Sequence, residues 1–201
     1  ATCPMVDVIG LAGLAATFTG YTATGTNSLL EVRDAQTVMD AIKNGGTVQL
    51  IINPQNKASV GTVLAYGDWD DDTSNGNGLK VVVGSDLKVK VSISNSFVYT
   101  ATTALAPSWN VISFSFGASG FRYYQNGNEE INFTGTDTAL STTFTTEPSW
   151  QMYLGGNPSA AKLTSSASNL FKGGIDDISF FPGALPSYLM FQSARLQSAL
   201  G

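Results

Sequence analysis

Residues 87–94 alternate apolar and polar side chains with a period of two: Leu87, Val89, Val91 and Ile93 on one side, Lys88, Lys90, Ser92 and Ser94 on the other. That period belongs to a strand and predicts one face turned to a core and one to water. Leu79, Val81 and Val83 begin a neighbouring strand, with Gly84-Ser85-Asp86 between them, so 78–93 predicts an antiparallel hairpin. In 109–116, Ile112, Phe114 and Phe116 share one face, and Trp109, Val111, Ser113 and Ser115 the other. Asn126-Gly127 then supplies the positive φ angles of a two-residue turn linking 121–125 to 129–133. Further strands are expected at 15–19, 28–33, 47–53, 60–66, 97–102, 150–154 and 175–181. Short strands separated by Gly, Asn, Asp and Ser turns predict a sandwich or a barrel.

Two segments break the rhythm. Asp34 can cap a short helix in which Val38, Met39, Ala41 and Ile42 fall at helical spacing, before Asn44-Gly45-Gly46 stops it. After Pro186 and Ser187, the run Tyr188, Leu189, Met190, Phe191 and Leu196 predicts a last helix over an open edge of the sheets. Residues 157–169 form a Ser/Ala-rich loop. No internal repeat or Pro-rich linker divides the chain, so one domain is expected over 15–201, preceded by an arm at 1–14. The apolar stretch 6–16 falls short of the ~20 residues of a membrane span. The arm is expected to pack on the domain or dock on a partner.

Composition narrows the function. Charged residues make up 12% of the 201 positions, about half the ~25% of an ordinary globular chain, so hydroxyls and amides carry the surface. A net charge of -5 argues against a nucleic-acid partner, which would need clustered Lys and Arg. The sequence has no histidine, which removes the commonest general base and every Ser-His or Cys-His pair. Its single cysteine, Cys3, closes no internal disulfide and reads as a small apolar residue.

From Trp109 onward the order of parts is distinctive. The Trp109 strand is followed by the Tyr123-Tyr124-Gln125-Asn126-Gly127 hairpin, then Leu154-Gly155-Gly156 and Gly174-Ile175-Asp176-Asp177-Ile178, and then Ala184-Leu185 leading into a short helix. Upstream, Ala16-Thr17-Phe18-Thr19-Gly20 and the run 47–52 occupy the places of a first strand and an early core strand. This order resembles the laminin-G and pentraxin-like group of the concanavalin A-like lectin/glucanase superfamily over most of 15–197. The pentraxin-type cysteine near Trp109 is missing. The resemblance implies an all-β fold, a two-sheet antiparallel jelly-roll sandwich with one or two short helices. It also implies sugar or protein ligands met at the concave face or rim loops, often beside calcium.

The sharpest local feature is the turn G-D-W-D-D-D-T-S-N-G-N-G at 67–78. Asp68, Asp70, Asp72 and Asn75 offer the hard oxygens that calcium takes, although Thr73 and Leu79 replace the Gly and Glu of an EF-hand. The alternative is a solvated turn whose charges discourage edge pairing. By resemblance, Asp176 is a second calcium candidate, with a plain outward-facing Asp as its alternative. Tyr66 and Trp69 could stack on a sugar ring while Asn77 bonds its hydroxyls; for Trp69, packing is an equal reading.

Paired-carboxylate catalysis is not expected. Glu129 and Glu130 are adjacent and point to opposite faces, Glu31 and Asp34 have no second Glu behind them, and Glu147 precedes a proline. The glucanase motif E-x-D-x-x-E is absent, and so is the His that lyases of this fold use. Two non-enzymatic roles follow. The first is a structural or attachment component of a virion (phage decoration, capsid-associated or fibre protein) or cell surface, assembled with other protein subunits. The second is a secreted calcium-dependent carbohydrate-binding module. The expected location is a virion or the extracellular surface.

Overall fold

The computed structural model describes residues 7–9, 14–20, 29–32, 35–55, 61–69, 76–94, 97–118, 120–130, 143–157, 170–190 and 192. In chain order these form β1 (Asp7–Ile9), β2 (Leu14–Thr19), β3 (Leu30–Val32), helix α1 (Ala35–Ile42), β4 (Gly45–Pro54), β5 (Gly61–Trp69) and β6 (Gly76–Val83). There follow β7 (Val89–Ile93), β8 (Phe97–Thr100), β9 (Asn110–Gly117), β10 (Arg122–Gln125), β11 (Asn128–Glu129), β12 (Met152–Leu154) and β13 (Lys172–Pro182). Two sheets result: a first, ordered β1-β2-β13-β4-β9-β10-β11, and a second, ordered β3-β12-β5-β6-β7-β8. All neighbours within them run antiparallel. Late strands sit between early ones, β13 between β2 and β4 and β12 between β3 and β5, which is the jelly-roll arrangement the family resemblance implied.

The inward faces follow the predicted alternation. Val48, Leu50 and Ile52 with Ile112, Phe114 and Phe116 from the first sheet meet Leu64, Tyr66, Leu79, Val81, Val83, Val89, Val91 and Ile93 from the second, all fully buried. An aromatic seam of Phe97, Tyr99, Phe114, Phe121 and Tyr123, with centroids 4.8 to 5.9 Å apart, continues this core. The 126–127 turn forms as expected: Asn126 and Gly127 take φ of 53° and 81°, and Gln125 pairs with Asn128. Helix α1 buries Ala35, Met39 and Ile42 and leaves Val38 exposed. Asp34, its expected cap, lies outside the described residues. Of the expected arm, Asp7–Ile9 lies along β2 at the edge of the first sheet.

Three expectations are corrected. Leu87 and Ser94 are not strand residues: they take left-handed φ of 60° and 50° and flank a strand limited to Val89–Ile93. The polar face of that strand is not all in water, for Ser92 is buried; Lys80 on the same sheet and Thr47, Gln49, Ser113 and Ser115 on the first are buried too. The final helical residues, 187–190, lie over the outer face of central strands β4 and β9 rather than over an edge. Small polar side chains there leave room for a largely apolar cavity of about 240 Å³ between Gln49, Ser113 and the covering Phe181, Leu185, Leu189 and Met190. Three of the polar groups lining it bond one another or the covering chain. Gln49 Nε2 donates to Ser113 Oγ (3.0 Å), while Thr47 Oγ1 donates to the Gly183 carbonyl (3.0 Å) and accepts from the Leu185 N–H (2.9 Å).

Glu130 fastens the loop after β8 to the β10–β11 hairpin. It accepts from the Tyr99 hydroxyl (2.7 Å) and from the N–H groups of Thr102 (2.7 Å) and Thr103 (2.9 Å). Partial burial pushes its pKa up, but these hydrogen bonds outweigh the burial and hold it below the ordinary carboxylate value. A lowered folded pKa contributes stability that is present above the unfolded value and lost as pH falls through the folded one. Glu130→Gln is therefore expected to cost about 1–2 kcal/mol at pH 7. The cost should shrink on acidification below about pH 4.5, as measured by urea unfolding; a cost independent of pH would contradict this role.

Candidate functional site

At one end of the sandwich α1 stops, β5 meets β6, β7 ends, and residues 143–147 cross between them. The crossing is pegged by Phe144, buried with its ring 6.2 Å from Tyr66 and 6.0 Å from Phe116, one in each sheet. Its N–H donates to the Lys43 carbonyl (3.2 Å). The threonines that follow bond to opposite sides. Asn77 Nδ2 donates to Thr145 Oγ1 (2.6 Å), and Thr146 Oγ1 donates to Asp40 Oδ1 (2.5 Å), which also accepts from Lys43 Nζ (2.9 Å).

Asn77 is placed by an unusually close strand pair. Gly67 faces Gly78 with φ of +119° and +120°, and a Cβ on either would lie within 2.0 Å of a backbone oxygen on the other strand. Only glycine fits at these two positions. Asn77, Thr145, Thr146 and Lys43 border an open cleft of about 570 Å³, with Ser94, Asn44 and Glu147 on its rim and the buried Phe144 beneath it. That size suits a small ligand.

The cleft's chemistry is hydrogen bonding by amide, hydroxyl and carboxylate. The Thr146 hydroxyl foremost, and then Lys43, hold Asp40 below the usual carboxylate range, so it is ionised at neutral pH. A glycosidase's general acid requires the opposite shift. Three of the glutamates lie away from this cleft. Glu129 lies 3.8 Å from Arg122, Glu130 serves the loop after β8, and Glu31 is exposed on β3.

The residues singled out in the sequence divide. Asn77 belongs to the cleft. Tyr66 is fully buried, packed edge-on against Phe144 and Trp150 (5.9 Å). Trp69 is 2% exposed; its Nε1 donates to the Tyr66 carbonyl (2.9 Å), and the Lys80 ammonium sits 5.8 Å from its ring. Neither ring offers a face to solvent, so the position expected for a sugar is taken by protein, and Trp69 falls on the packing side of its two readings. Asp68 is exposed and pairs in register with Asn77. Asp70, Asp72 and Asn75 lie outside the described residues. Asp176 is half-buried in the first sheet at the irregularity between Ile175 and Ile178, and its Oδ1 accepts from the Asp177 N–H (2.9 Å). Among the described residues no three His, Cys, Asp or Glu side chains come together to hold a metal. Sequence reasoning missed Asp40, Phe144, Thr145 and Thr146. The available signal was a lone phenylalanine set among paired threonines in T-T-F-T-T-E-P.

Residues 24–187 match the family model described as the Concanavalin A-like lectin/glucanases superfamily. The chain belongs to that superfamily. No curated protein matches it. Among solved structures it is similar to domain 4 of AbnA, an extracellular arabinanase from Geobacillus stearothermophilus, in complex with arabinotriose. Identity there is 17% and the TM-score 0.61, over 96% of this chain and 82% of that one. The heptameric SAP-like pentraxin from Limulus polyphemus gives 13% and 0.57, over 93% and 84%. The CBM40 of Ruminococcus gnavus IT-sialidase, bound to α2,3 sialyllactose, gives 11% and 0.58, over 94% and 96%. These likenesses establish the fold. Among the described residues no helix is long and apolar enough to cross a membrane.

Because Trp69 is packed on all sides, Trp69→Ala is expected to destabilise the fold by about 3 kcal/mol in chemical denaturation. A loss under about 1 kcal/mol would mark the ring as dispensable to packing.

Proposed function

We propose that the chain is a non-catalytic attachment domain whose end cleft holds a glycan. The observation that carries this is the convergence of the Asn77 amide and the Thr145 and Thr146 hydroxyls on one open cleft, with the Asp40 carboxylate bonded to Thr146 beside it. Amide and hydroxyl donors and acceptors match the hydroxyls of a sugar ring. The lack of histidine and the ionised Asp40 support binding without turnover. The carbohydrate complexes recorded for the AbnA domain and the CBM40 support the same reading by likeness of fold. An extracellular or virion surface is the location such a role fits.

A second reading, a subunit of a virion or surface assembly, is favoured by Tyr188 (61% exposed) and Leu189 (37%) beside each other near the end of the chain. A native mass of many copies would favour it.

Asn77→Ala is expected to reduce retention on a glycan array by about tenfold, about 1.4 kcal/mol, with the melting temperature shifted only slightly and no product released from any glycan. Undiminished retention, or turnover, would contradict the proposal. Repeating the binding in chelator tests calcium at the 67–78 turn, a separate proposal: retained binding argues against the ion and loss argues for it.

A further inference from the structure

We infer that the ligand is an extended, uncharged oligosaccharide spanning two subsites along α1; this rests on the glycan reading above. Residues 143–151 run antiparallel to α1: Phe144 bonds the Lys43 carbonyl, Thr146 bonds Asp40, and Pro148, Trp150 and Gln151 border the same cleft as Ala35 and Gln36. At that far end lies a second cleft of about 450 Å³, bordered by Glu31, Gln36, Pro148, Trp150 and Gln151. Trp150 is partly exposed there; its ring packs edge to face on Tyr66 at 5.9 Å, and its backbone N–H donates to the Glu147 carbonyl (3.0 Å). An indole fixed from behind, flanked by two primary amides, is suited to stack on one sugar ring and bond its hydroxyls.

Gln36, at the second cleft, lies in the first turn of α1, and Lys43, at the first cleft, directly follows its last residue with its N–H still bonded to the Met39 carbonyl, so the two stand about 10 Å apart along the helix axis. A single sugar fills one of them; a short chain fills both.

Charge selects among such chains. The described residues lining the two clefts, with Asp40 beside them, carry the carboxylates of Glu31, Asp40 and Glu147 against the ammonium of Lys43, which already donates to Asp40 at 2.9 Å. An acidic sugar would meet net negative charge and would have to share that cation with Asp40.

The test uses a glycan array, then calorimetry with the best-bound neutral trisaccharide, its monosaccharide, and the pair lactose and 3′-sialyllactose. The trisaccharide is expected to bind about tenfold or more tightly than the monosaccharide, and lactose more tightly than its sialylated form. Gln36→Ala and the packing-conservative Trp150→Phe should each weaken trisaccharide binding about three- to tenfold. Both should leave monosaccharide binding and melting temperature nearly unchanged. Equal affinity for one and three sugars, indifference to both variants, or preference for the sialylated sugar would overturn the inference while leaving the glycan reading in place. Failure of every glycan to bind would overturn both.

Discussion

The site depends on one ring driven into the core. Phe144 is buried between Tyr66 of the second sheet and Phe116 of the first, and burying such a side chain is worth about 2–3 kcal/mol. That burial fixes the residues on either side of it. Thr145 is presented to Asn77 and Thr146 to Asp40, so a segment without regular secondary structure becomes a defined row of hydroxyls. Hydrogen bonds this exposed are individually weak; the peg gives them a constant geometry.

The surrounding sandwich supplies rigidity at that end. Central strands β4 and β9 are buried on both faces, inwardly by Val48, Leu50, Phe114 and Phe116 and outwardly by the chain that follows β13. Strand β13 pairs with both β2 and β4, so the first sheet closes only when the last part of the chain has been laid down. Such long-range pairing slows folding but ties distant segments into one body. The close pair Gly67 and Gly78 and the glutamate anchor at Glu130 are local forms of the same constraint: each ties one loop or turn to a neighbouring strand.

Much of the fold was legible because it rests on period-two alternation within short windows. Phe114 and Ile112, Val81 and Leu79, and the Asn126-Gly127 turn all occupy the positions their pattern predicts. The ordered parts from Trp109 to Leu185 carried the family. Burial of polar residues was not legible, because whether Ser92, Lys80 or Gln49 meets water depends on what covers it from elsewhere in the chain. The site was obscured for the same reason. Asp40 and Thr146 are 106 positions apart and Asn77 and Thr145 are 68 apart, while the density of aspartates at 67–78 drew attention to a neighbouring turn. Tyr66 and Trp69 looked like platforms in the sequence, but Phe144, Trp150 and Lys80 arrive to cover them.

The central claim is that ligand meets the protein at the end cleft shaped by the Phe144 peg. Backbone amide shifts recorded by NMR while a bound glycan is titrated test it most directly. The account predicts that the largest changes fall on Asn44, Asn77, Thr145 and Thr146. Changes centred instead on Lys90, Val98 and Thr100, on the outer face of the second sheet, with the cleft amides unmoved, would contradict it.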